Sequence, residues 1–202
     1  MENERKVSLL LDGDVDYYTN LLNSQGAVIT EIFDIIERLF TDKKFEDLCL
    51  MSESEIKQNC VVIKDCNQVM GDNGSNSEKI CLENYSEFDK NHDRDFEINK
   101  SELKDFCSKL ENGGFYEVLQ TFKMQYDFRL GNGNTLSLQE IDSIGVVLTY
   151  FNSEYENMPS NLQREAVISE LNSYGFEIDK NESDIDVIKT LITGQTWGSC
   201  HF

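Results

Sequence analysis

The chain has 202 residues, 38 acidic against 18 basic, for a formal net charge of −20. That surplus argues against electrostatic binding to nucleic-acid phosphates or an anionic membrane, and predicts cationic partners. No apolar run approaches the roughly 20 residues of a membrane helix, Met1 to Lys6 lacks the apolar core of a signal peptide, and the six cysteines show no Cys-x-x-Cys spacing; a cytoplasmic protein with reduced thiols and no membrane insertion is expected.

In chain order, Leu9-Leu10-Leu11 is followed by Asp12-Gly13-Asp14-Val15-Asp16, which reads as a capped helix start. From Ala27 to Phe40, Ile29, Ile32, Phe33, Ile36, Leu39 and Phe40 recur at spacings of three and four, which predicts an amphipathic helix. Ser52 with Glu55 three residues on forms a capping-box pattern, predicting a helix to about Ile63. Gly71-Asp72-Asn73-Gly74-Ser75-Asn76-Ser77 is too polar and turn-rich to bury apolar surface, so residues 65–78 read as a linker.

Tyr85 and Phe88 then suit the apolar face of an incoming helix, and Leu103, Phe106 and Leu110 continue at helical spacing until Gly113-Gly114. Between them lie Asp89, Asn91, Asp93, Asp95, Glu97, Asn99 and Glu102, oxygen-bearing side chains at alternate positions closed by a glutamate. Such spacing can turn six to eight oxygens toward one hard cation. This stretch resembles the loop of the EF-hand (calmodulin-like) calcium-binding superfamily. The span Asp89–Glu102 counts 14 residues, so the loop is either lengthened by two or begins at Asn91, where Phe96 takes the place of the family's turn glycine. Ile98 supplies the apolar residue through which two such loops pair.

A second copy follows: Asp127, Leu136, Glu140 and Ile141 each stand 38 positions after Asp89, Ile98, Glu102 and Leu103, with Asn132 and Asn134 inside the loop and Arg129 where a carboxylate is wanted. Val118, Leu119, Phe122 and Tyr126 would form its entering helix, and Ile141, Ile144, Val147, Leu148 and Phe151 its exiting one. Weaker copies span Asp42 to Glu55, with Lys43 and Lys44 in the cage, and Phe176 to Glu182. Pro159 opens a further helix through Leu171, and a last helix runs from about Asp184 to Thr193.

The resemblance implies a mainly α fold of four helix–loop–helix units in two pairs, with short β pairings between loops. Residues 1–64 would hold a degenerate unit, 65–78 a linker, 79–151 the two best loops and 152–202 a second degenerate unit. It also implies Ca²⁺ as the cofactor, with Asp89, Asn91, Asp93, Asp95, Glu97, Glu102, Asp127, Asn132, Asn134 and Glu140 as metal ligands. The function implied is a calcium sensor or adaptor gripping a basic or amphipathic helix of a protein partner. The alternatives are a calcium-independent structural or interaction protein of the same architecture, and an acidic inhibitor of a basic target. Only His92 and His201 are present, and no phosphate loop, nucleophile elbow or His-Glu-x-x-His motif is found, so a non-enzyme is expected.

Overall fold

The computed structural model describes residues 7–71, 78–84, 96–155, 158–179, 181 and 183–199. Their elements are β1 (Val7–Leu11), α1 (Val15–Ser24), β2 (Val28–Thr41), α2 (Phe45–Leu50), α3 (Glu53–Asn59), β3 (Val61–Gly71), β4 (Glu78–Asn84), β5 (Phe96–Ile98), α4 (Leu103–Asn112), β6 (Tyr116–Arg129), β7 (Thr135–Ile141), β8 (Gly145–Phe151), α5 (Ser160–Ser173) and α6 (Val187–Ser199). The strands form one sheet in the order β1-β8-β7-β6-β2-β3-β4-β5. The expectation of a mainly α, EF-hand-like protein is therefore wrong: the chain is a mixed fold built on a large sheet.

The physical reason is clearest in β2. Val28, Ile29, Thr30, Ile32, Ile35 and Ile36 are β-branched, stiff at χ1 and suited to a pleated surface. Its apolar residues also fall at spacings of three and four, because a strand buried on both faces carries them at both parities. In β6 the burial alternates, with Leu119, Thr121 and Lys123 buried between more exposed neighbours. The expected exiting helix from Leu138 is interrupted by a turn at Asp142-Ser143-Ile144, where Ser143 takes φ 68° and Gly145 φ 114°, and the Ile144 N–H donates to Ile141 O at 3.1 Å. That turn makes β7 and β8 an antiparallel hairpin in the register Leu138 to Leu148.

Other local expectations hold. Asp14 caps α1, accepting from the Tyr17 N–H at 2.7 Å. Ser52 and Glu55 form the capping box of α3, and α4 and α5 occupy the stretches read as helical, but α3 ends at Asn59 and not near Ile63, and residues 65–71 of the expected linker belong to β3. Among the described residues no helix is long and apolar enough to cross a membrane.

The chain divides into two compact units: unit 1 comprises Met1–Ile32, Met70–Gly74 and Met124–Ile185, and unit 2 comprises Phe33–Val69, Ser75–Lys123 and Asp186–Phe202. In unit 1 β1 pairs with β8 so that Leu9 faces Leu148. Leu9, Leu136, Leu138, Leu148 and Tyr150 then share a core with Leu22 of α1 and Ile168 and Leu171 of α5. The other face of β7 carries Ser137 and Gln139, as strand alternation requires. In unit 2 Phe40, Val61, Ile63 and Ile80 pack against Leu103, Phe106 and Leu110 of α4. Val62, Lys64 and Cys66 of β3 alternate with that core and therefore take the opposite face.

Candidate functional site

The opposite face of unit 2 is where charge is buried. Glu37 of β2 is 4% exposed and Lys123 of β6 is 9% exposed. Lys123 Nζ donates to Glu37 Oε2 at 2.9 Å. Lys64 of β3 approaches the same oxygen at 4.0 Å. One carboxylate thus stands between two ammonium groups. Two residues before Lys123 on the same face lies Thr121, 2% exposed. Its hydroxyl is the one buried side-chain oxygen or nitrogen among the described residues without a hydrogen-bond partner. Burying a hydroxyl unpaired costs about 1–3 kcal/mol, so an orphan beside a charged cluster calls for an explanation.

Cys66 lies on β3 two residues beyond Lys64. Burial pushes its thiol up to about 11, with Cys81, Asp65 and Glu37 adding to the shift and Lys64 opposing it. Cys60 is also raised to about 11, again mainly by burial. At pH 8 a thiol with that value is about one part in a thousand thiolate, against roughly a quarter for an ordinary cysteine. Iodoacetamide at pH 8 should therefore modify Cys60 and Cys66 at least about 100-fold more slowly in the folded chain than in urea. Equal rates would contradict their burial. Because these thiols titrate above their unfolded value, their contribution to stability is complete below about pH 8.5 and is lost as the pH rises toward 11.

The residues expected as metal ligands are placed differently. Asp89, Asn91, Asp93 and Asp95 lie outside the described residues, and Glu97 belongs to β5, its side chain likewise outside them. Ile98 does sit in a short strand, but it pairs with Ile80 of β4 and not with a second loop. Glu102 closes a capping box, its Oε2 accepting from the Asn99 N–H at 3.1 Å. Asp127 lies on β6, where Oδ1 accepts from Ser137 Oγ at 2.5 Å and from Gln125 Nε2 at 3.0 Å. Gln139 Nε2 in turn donates to Gln125 Oε1 at 2.8 Å. Asn132 and Asn134 form the β6–β7 hairpin turn: Asn132 Oδ1 accepts from the Asn134 N–H at 3.0 Å and Gly133 takes φ 90°. Glu140 is on β7 opposite Val146.

The structure thus brings Asp127 together with neutral partners, ties Asn132 and Asn134 into a hairpin, and leaves Glu140 on a neighbouring strand position. Among the described residues no group of three or more His, Cys, Asp or Glu side chains could hold a metal ion. The sheet architecture overturns the reading of a calcium-binding EF-hand sensor and, with it, the scaffold variant built on that architecture. Glu37, Lys64, Thr121 and Lys123 were missed by sequence reasoning. The signals the sequence offers are a threonine and a lysine two apart in β6 and a glutamate among the apolar residues of β2.

No family model matches the sequence, and no curated protein matches it. Solved structures do match in fold. The PH1819 protein from Pyrococcus horikoshii OT3 superposes with a TM-score of 0.54 at 15% identity, covering 94% of this chain and 99% of that one. The PH1012 protein of the same organism gives 0.51 at 12% identity, covering 94% and 98%. The X-ray structure of a putative adenylate cyclase from Vibrio parahaemolyticus gives 0.50 at 12% identity, covering 85% and 88%. At these identities the likeness establishes the fold alone.

Proposed function

We propose that unit 2 binds the phosphate of a small anionic ligand on the face formed by Lys64, Thr121 and Lys123. The observation that carries this is the orphan Thr121 hydroxyl beside a carboxylate that already has two ammonium partners. A phosphate oxygen would accept from that hydroxyl and from a lysine ammonium, and charge-assisted bonds of this kind are worth about 1.5–3 kcal/mol. The surrounding net charge of −20 repels anions at long range, but screening removes most of that beyond about 8–10 Å while leaving a partly buried pair nearly intact. The proposal is of binding alone, with no catalytic step.

ATP is the first probe, since it is the substrate of an adenylate cyclase, the activity for which one structural neighbour is named; inorganic triphosphate is the second. Calorimetric titration should show saturable binding, weakened about tenfold or more by Lys64→Met. Thr121→Val should also weaken binding, yet raise stability by about 1 kcal/mol because it removes an unsatisfied hydroxyl. A residue that only supports the fold would not give that split. No heat with either probe at millimolar concentration, or a Lys64→Met variant that binds as the parent does, would sink the proposal.

A further inference from the structure

Unit 1 contains a cavity of about 290 Å³ whose wall is formed by the end of β1, the first turn of α1 and the segment after α5. Its wall is aromatic. Tyr18 stacks on Phe176 with centroids 5.6 Å apart and planes at 8°, and Tyr17 meets Tyr18 edge-on at 5.0 Å. Tyr18 is 8% exposed, fixed by its hydroxyl, which donates to Asp12 O at 2.6 Å, whereas Tyr17 remains 57% exposed. Gly175 completes the wall at φ +93°, and a Cβ there would come within 2.9 Å of Leu21 Cδ1. The backbone at that point is therefore restricted to glycine, and the cavity's shape is built into the fold.

The same wall carries the carboxylates of Asp12 and Glu177 and no lysine or arginine. An edge-to-face tyrosine pair with one exposed ring and two acids in one cavity combine the two groups that hold an organic cation, a π face and a counter-charge. The volume suits a short aliphatic stem bearing one cationic head, below the range of drug-sized pockets. We infer that this cavity binds a guanidinium or alkylammonium group on a short stem. Composition predicts cationic partners for the chain as a whole, and here the structure offers one a defined seat.

The group could arrive as a free amine or as the side chain of a basic peptide. Full-length ¹⁵N-labelled protein would be titrated in parallel with agmatine and with acetyl-Ala-Arg-Ala-amide, following amide shifts in the spectrum. The expected result is saturable shifts centred on Tyr17, Tyr18 and Glu177 with at least one of the two. Tighter binding of agmatine would identify a free amine, and tighter binding of the peptide an arginine side chain of a partner. The double variant Asp12→Asn/Glu177→Gln keeps the shape of the wall and should weaken binding at least about tenfold, and Tyr17→Leu should weaken it as well. Neutral butylurea should bind much more weakly than agmatine. No saturable shift with either cation, unchanged affinity in the double variant, or equal binding of butylurea would overturn the inference.

Discussion

Replacing Lys123 by methionine is expected to cost the fold about 3–5 kcal/mol, the range seen when one partner of a buried ion pair is removed. Methionine fills most of the lysine's volume, so packing is largely kept and the loss reports the charge. What remains is Glu37, whose side chain is 5% exposed, with Lys64 at 4.0 Å in place of a hydrogen-bonded ammonium at 2.9 Å. A carboxylate so placed has given up its hydration and keeps a partner at a distance where no hydrogen bond forms. The test is the urea midpoint at constant slope. A second variant separates charge from packing: Glu37→Leu together with Lys123→Met removes both ions, and should recover most of the loss because paired burial of charge gains little over apolar contact. Lys64, with 29% of its side chain exposed, can then turn to water. A single Lys123→Met variant within about 0.5 kcal/mol of the parent would show that the pair is not buried as described.

How much of this was legible in the sequence depends on which signal each segment carries. Helix ends announce themselves locally, because a cap needs a particular side chain at a particular step from the first free N–H groups; Asp14, Ser52 and Gly113-Gly114 all sit where such signals place them. Long strands do not. The apolar residues of β2 and β6 fall on both faces, and their spacing then imitates a helical stripe unless β-branching is given more weight than period. The Asp127 to Glu140 copy failed for a related reason. Asn and Gly in tight succession serve a hairpin turn as readily as a cation loop, since both need side chains that bond the local backbone and residues that accept positive φ. The offset of 38 positions is present in the sequence, but Asp127 and Glu140 belong to two strands of a hairpin, not to one loop.

The polar site was illegible for a different reason. Glu37, Lys64 and Lys123 are far apart in the sequence and meet only through the strand order, which no local pattern contains. Two features could have drawn attention to them: a lysine and a threonine two apart in β6, and a glutamate within the most apolar half of β2. Charges at such positions are solvated in most strands, and only burial separates the two cases.

Replacing Glu170 by leucine should cost about as much as the Lys123 change, roughly 3–5 kcal/mol, and for a reason specific to unit 1. Glu170 of α5 accepts from Tyr150 Oη at 2.7 Å, from Asn132 Nδ2 at 2.7 Å and from Asn152 Nδ2 at 3.0 Å. One carboxylate thus ties the β6–β7 hairpin turn and the end of β8 to the helix that covers them. Tyr150 is fully buried and Asn152 is 2% exposed, so neither can turn to water when its acceptor is lost. Burial, then the bond to Glu170, holds the Tyr150 hydroxyl well above the usual tyrosine range, so it remains a donor at every pH at which the chain folds. Asn134 Nδ2, 3.0 Å from the tyrosine oxygen, would be the remaining partner in the variant. Glu170→Gln should cost less, about 1–2 kcal/mol, because its carbonyl can still accept from Tyr150 while its amide faces the donor of Asn152. Tyr150→Phe in the Glu170→Leu background should then restore part of the loss by removing a hydroxyl whose proton has lost its acceptor, a coupling that a double-mutant cycle of urea midpoints measures directly. Strictly additive effects would mean that the tyrosine and glutamate do not share a bond, and that the helix is held to the sheet by apolar packing alone.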